Sequence, residues 1–355
     1  MAKNYYLAVA ALIFVTGTQL ARAQSSANPA VEEPDRISWQ LFATVNAPAP
    51  SAGNNNATFE TWASDEDTFA ATPKWPDGVS PARLKVPALV RLAPASLRPR
   101  VLPGGSEEVR RNRDAFDFIV SNKLYTRSGL KAAFASGKPL SFQEGAIEVK
   151  ANWVPVSNVP DASVYHTNTA SDGKTYALVS MHIISKLVPN WTWATFEHRL
   201  NKGRCDYMGC RDSFGAVRPV EAARTPLGGT YPACEKTAAV KQVFAAAGLA
   251  PLWENYCLKG SQVDFVTSTG VATLLGNSVT EDGFVSSSSC LTCHSRASVT
   301  SAGLDAQGAG FIGNASPNGA PDPNWFWNNL GKSNQSLKAF QTDFVWAIPL
   351  LAIPQ

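Results

Sequence analysis

Apolar positions change their period along this chain, and the change marks its organisation. Residues 145–156 (GAIEVKANWVPV) alternate Ile147, Val149, Ala151 and Trp153 with Glu148, Lys150 and Asn152, the period of two of a half-buried strand. Residues 175–188 (TYALVSMHIISKLV) are apolar and β-branched. After Pro189 and Asn190 a second such run, WTWATFEHRL, follows, so 175–200 predicts an antiparallel hairpin. Before this centre, 36–45 is amphipathic and suits a helix or a strand, 59–69 reads as a short helix, and helices are predicted over 107–125 and 128–136, the latter stopped by Gly137. Residues 70–108 are rich in Pro and Gly without a sustained period. Beyond the centre, 238–247 predicts a helix stopped by Gly248, 257–275 shorter elements, and 334–347 a last amphipathic segment. The fold class expected is α+β: a β-rich central body with an antiparallel hairpin, and a C-terminal segment that carries the chemistry described below.

The N-terminus follows another logic. Lys3, the apolar run 7–15 (LAVAALIFV) and Ala21-Arg22-Ala23 form a signal-peptide pattern over 1–23, too short to span a bilayer. The mature chain then starts at Gln24, with a body over 24–265 and a second segment over 266–355 packed on it. Without Lys3 and Arg22 the 31 basic residues fall to 29 against 28 acidic, a balance that argues against nucleic acid as a partner. No later stretch is long and apolar enough to span a membrane. Ten Trp residues, among them the pairs Trp191/Trp193 and Trp325/Trp327, suit the surroundings of a large flat ligand as well as an ordinary core.

Six cysteines are present. Cys205, Cys210, Cys234 and Cys257 follow an export signal, a setting for two disulfides, with Cys205–Cys210 and Cys234–Cys257 the favoured pairing and zinc the alternative. Cys290 and Cys293 belong to a C-x-x-C-H motif ending at His294. Two thiols one helical turn apart can add across the two vinyl groups of a haem, and the next residue, histidine, is then held beneath the iron as an axial ligand. A thioredoxin-like pair would need a βαβ setting, and zinc a second ligand pair; neither precedes the motif. One covalently bound haem c is therefore expected, on Cys290, Cys293 and His294.

The 61 residues after the motif hold no methionine and no histidine. A sixth iron ligand of the usual kind must come from upstream, from Met181, Met208, His166, His182 or His198. His198 is the first candidate, because Phe196 shares its strand face, and His182 the second; hairpin register decides whether the two share a side.

Four segments, ISWQLFATVNAP, MHIISKLVPNWTWATFEH, LGNSVTEDGFVSSSSCLTCH and TDFVWAIP, resemble a family of uncharacterised bacterial exported monohaem cytochrome c proteins. That resemblance implies a periplasmic haem protein in which Cys290 and Cys293 attach the haem and His294 ligates its iron. A looser architectural likeness links the late motif in a β-rich chain to the β-sheet cytochromes, cytochrome c prime beta and the hydroxylamine-oxidising cytochromes. The function expected is single-electron transfer with a redox partner protein. The alternative is a haem oxidoreductase or small-ligand-binding protein, peroxidase-like or hydroxylamine/NO-related, with an open distal site. A third class is a binding module whose haem is structural.

Overall fold

The computed structural model describes residues 28–49, 56–85, 105–222, 228–282, 284–306, 318–323, 326 and 339–355. The signal peptide and mature start, part of 70–108, half of 301–324 and the first part of 334–347 lie outside these residues.

A seven-stranded antiparallel sheet organises the chain. Its strands are β1 (Ala63–Ser64), β2 (Ser106–Arg111), β3 (Ile147–Pro155), β4 (Thr167–Thr169), β5 (Thr175–Ser185), β6 (Thr192–His198) and β7 (Tyr256–Gln262). They lie in the order β1-β2-β3-β5-β6-β7, and β4 pairs with the first residues of β5. With helices on both faces of this sheet, the fold is α+β and β-rich. The predicted hairpin is β5–β6, in a register that sets Ser185 opposite Thr192, His182 opposite Thr195 and Ser180 opposite Glu197.

Each strand face has its own cover. One face presents Val149, Met181, Ile183, Ala194, Phe196 and Leu258 to the helix Pro34–Asn46 (Trp39, Phe42), the helix Ala238–Ala246 (Val240, Phe244) and Trp253. Trp39 and Phe196 meet edge to face with ring centroids 5.1 Å apart. On the other face Ile184 and Trp193 pack beneath the helices Arg113–Ser121 and Arg127–Ser136, with Leu275, Leu291, Phe340 and Val345. Thus β3 is buried on both faces rather than half-buried.

The helix expected over 107–125 is two elements. Glu107 to Arg111 form β2, and a helix begins at Arg113, capped by Asn112 accepting from the Ala115 amide (3.1 Å). The charged run reads as a helix surface but is paired inside the sheet. Arg110 donates to Glu108 (3.0 Å) and to the carbonyls of Glu60 and Trp62, and Arg111 donates to Asp65 (2.6 Å) and Glu148 (3.1 Å). The segment expected as one helix over 59–69 is a 3-10 turn (Thr58–Thr61), β1 and a single helical turn (Asp65–Thr68). Gly137, with φ +63°, ends the helix at Ser136 as expected. Two disulfides are formed, Cys205–Cys210 and Cys234–Cys257, the second tying a loop residue to β7. Among the described residues, no helix is long and apolar enough to cross a membrane.

Candidate functional site

The C-x-x-C-H residues form one helical turn, Cys290–His294, laid against the sheet face that carries Ile184 and Trp193. The turn is held locally by its cap and at longer range by β7. Ser289 accepts from the Thr292 amide (3.2 Å), while the Gln262 side chain donates to Ser289 Oγ (2.8 Å) and accepts from the Leu291 amide (3.0 Å). Leu291 is fully buried and Thr292 Oγ1 donates to the Gly319 carbonyl (2.6 Å), so these two residues anchor the turn. Cys290, Cys293 and His294 project from it half-buried, and the two cysteines are free thiols.

His294 has a defined tautomer. Its Nδ1 lies 2.8 Å from the Phe344 carbonyl oxygen, which can only accept, so Nδ1 carries the proton and the Nε2 lone pair is left for another partner. Trp193 packs against the imidazole with ring centroids 4.6 Å apart. The acceptor is itself held in place. Asp343 and Phe344 are consecutive non-glycine residues in the left-handed region, φ +48° and +70°. Asp343 Oδ1 accepts from Lys186 Nζ (2.6 Å) and Oδ2 from the Phe142 amide (2.7 Å), a buried ion pair between this turn and the end of β5. Burial, followed by the nearby Lys150 ammonium, pushes His294 down to about 4 and keeps it neutral. Burial, followed by the charge of Glu281, pushes the Cys293 thiol up to about 11 and the Cys290 thiol well above its ordinary value.

Of the upstream candidates, the structure brings one to the motif. His182 lies on the motif's side of the sheet, and burial, followed by the Lys150 charge, holds it well below the ordinary histidine value. Asn277 orients it: the Asn277 carbonyl oxygen accepts from the Val279 and Thr280 amides, so its Nδ2 donates to His182 Nε2 (3.0 Å) and to Thr195 Oγ1 (3.0 Å). Glu281 Oε1 stands 3.6 Å from the same imidazole. His198, the first candidate, is on the opposite face. It does share that face with Phe196, but the face is the one covered by Trp39 and Phe42. His198 Nε2 donates to the Val164 carbonyl (3.1 Å) and its ring stacks on Tyr165 with centroids 3.6 Å apart, the role of a satisfied core histidine. The order of preference therefore reverses, because the register pairs His182 with Thr195 and places His198 one residue out of phase. His166 is buried against Glu60 (3.0 Å) and Trp253, Met181 packs with Asn46 on the helix-covered face, and Met208 sits in the Cys205–Cys210 loop.

Three further side chains join this site. Lys150 on β3, opposite His182, is bridged to Glu107 (3.3 Å); burial opposes its charge, but Glu107 and Glu281 hold its pKa above the ordinary value. Glu281, whose carboxylate accepts from the Asn277 amide (2.7 Å), is pushed up to about 7 by burial. Lys259 on β7 has no side-chain exposure and lies 3.8 Å from Glu197. Alternation in β3 would have assigned Lys150 to a wet face; the signal available was the neighbour β5, whose apolar residues fall on both faces and need cover on both sides.

No known protein family, curated protein or solved structure matches the chain.

The donor set suits a covalently held haem. Two unpaired thiols flank a neutral imidazole whose outer nitrogen is anchored on a carbonyl, while the other four cysteines are consumed in disulfides. Among the described residues, no group of three or more His, Cys, Asp or Glu side chains is arranged to hold a bare metal ion.

Proposed function

We propose that this chain is an exported, periplasmic c-type cytochrome that holds one haem and passes single electrons to and from a redox partner protein. The observation that carries the reading is the His294 imidazole, fixed by the Phe344 carbonyl with Nε2 free, beside the free thiols of Cys290 and Cys293. Bound haem supplies a one-electron iron couple. Cys290 and Cys293 would hold it through thioethers and His294 would offer Nε2 to the iron, while Trp193 and Leu291 shield the His294 imidazole from water. His182 is the second imidazole that the sheet would offer to the iron. Two disulfides fit an oxidising compartment and so the export reading.

A second reading is favoured by one feature. His182 Nε2 already accepts from Asn277, and Glu281 beside it, pushed up to about 7, can give or take a proton near neutrality. A haem oxidoreductase or small-ligand-binding protein with an open distal position would use that pair. Acid–acetone extraction tests the shared premise: pigment should stay with the polypeptide and be lost from Cys290→Ala/Cys293→Ala. Pigment extracted freely from the unaltered protein overturns it. The ferric spectrum then separates the readings, low-spin for the electron-transfer protein and high-spin for the open site.

A further inference from the structure

Lys259 is a buried basic side chain without a hydrogen-bonding partner among the described residues. Thr195 pairs with Gly260 and Phe196 with Leu258, which leaves Lys259 as the extra residue of a β-bulge. Bulges beside functional sites re-aim a side chain. Here the bulge brings Nζ to the motif's face, 3.8 Å from Glu197 Oε1, where its charge bears on both His182 and Glu281. Glu197 does not satisfy it. The Glu197 oxygens already accept from the Ser278 amide (2.9 Å), Ser278 Oγ (2.5 Å) and Asn201 Nδ2 (3.2 Å), and Lys259 Nζ makes no hydrogen bond among the described residues. An ammonium stripped of water with all three donors unused is costly unless something in the functional state accepts them. Gln262, on the same strand, grips the motif turn, so β7 both carries Lys259 and anchors the turn that bears the thiols.

We propose that Lys259 is the anion-binding residue of this site, an ammonium placed to donate to a carboxylate or small oxyanion. The inference rests on the haem reading for one of its two sources, a haem propionate; the other is a free monoanion entering the site. Both present the same chemistry to Nζ, a singly charged planar oxygen acceptor.

The test compares the purified wild-type holoprotein with Lys259→Met and Lys259→Arg, scoring covalent haem content, reduction potential and a nitrite titration of the ferric form. For a propionate, Lys259→Met keeps its haem but its potential falls, since a lost cation favours the ferric state. Lys259→Arg restores most of the loss, and nitrite acts alike on all three. For a free anion, Lys259→Met binds nitrite at least tenfold more weakly than wild type whatever the shift in potential, and Lys259→Arg recovers most of that affinity. Unchanged potential together with unchanged nitrite affinity overturns the proposal and leaves Lys259 as a counter-charge to Glu197. Should Lys259→Met fail to accumulate, Lys259→Gln, which keeps donors without charge, is read in the same way. A wild-type chain without covalent haem defeats the parent reading and the propionate source; the nitrite titration, followed by tryptophan fluorescence, then decides for or against the anion site alone.

Discussion

Replacing Asp343 with alanine should both destabilise the fold and loosen His294. Asp343 joins the turn that orients the histidine to the end of β5, through Lys186 Nζ at 2.6 Å and the Phe142 amide at 2.7 Å. Both partners of the ion pair are less than a tenth exposed, so removal of the carboxylate strands a buried ammonium, at a cost of about 3–5 kcal/mol. Lys186 keeps its bond to the Pro189 carbonyl (2.8 Å) and its place over the Trp191 ring, which favours the lower end of that range. Alanine also tolerates the φ of +48° less well than aspartate, adding about 1 kcal/mol. Asp343→Asn keeps the left-handed preference and an oxygen for Phe142, and should lose only about 1–3 kcal/mol. Urea unfolding followed by tryptophan fluorescence measures these differences, provided the slope is unchanged. In the ferric holoprotein the hyperfine-shifted proton resonances of the His294 ring should move in Asp343→Ala and return toward normal in Asp343→Asn, since a merely structural loss would not move them. A change below about 0.5 kcal/mol for Asp343→Ala refutes the buried strut, that being the scatter of ordinary surface substitutions. A large loss with unmoved His294 resonances refutes its link to His294.

Three other outcomes are expected. Reducing the disulfides should lower stability by about 2 kcal/mol for the short Cys205–Cys210 loop and about 3.5 kcal/mol for Cys234–Cys257 if loop closure dominates, measured on Cys→Ser pairs; equal losses would refute the loop-length argument. His182→Ala should change the spin state or small-ligand affinity of the holoprotein while His198→Ala should not, and the reverse result would refute the face assignment. Burial pushes His198 down to about 4 from its ordinary 6.5, so below pH 6.5 the unfolded chain takes up a proton that the native state refuses. Stability should therefore fall as pH drops from 6.5 to 4, by up to about 3 kcal/mol from this residue, and His198→Asn should flatten that limb of the urea-midpoint profile.

Much of the fold is legible in the sequence where one period holds over a whole element. Period-two alternation locates β3, and β-branched runs about Pro189–Asn190 locate the β5–β6 hairpin. Gly137 and Gly248 stop their helices. Reading fails where tertiary pairing overrides local character. Glu107 to Arg111 carry four charges in five residues, and only the presence of Asp65, Glu60 and Glu148 across the sheet makes them a strand interior. Such partners lie about 40–50 residues away in sequence, beyond any local window.

At the site, the same contrast separates chemistry held in a motif from chemistry held in a register. Cys290, Cys293 and His294 are adjacent in sequence, and one helical turn brings their side chains together. His182, Lys150, Glu281 and Lys259 are not; they meet because three strands align and one of them bulges. Elimination narrows the sheet-side ligand to a handful of residues, but choosing between His182 and His198 requires a register known to a single residue. Both histidines are buried and both are depressed by burial, so composition and environment do not separate them. What separates them is the partner across the strand: Thr195 beside His182 faces Asn277 and the motif, whereas Tyr256 beside His198 closes an aromatic core. A site built across strands is thus specified by phase, and any one-residue slip in β5–β6 would exchange a polar imidazole for Met181 at the position facing the motif.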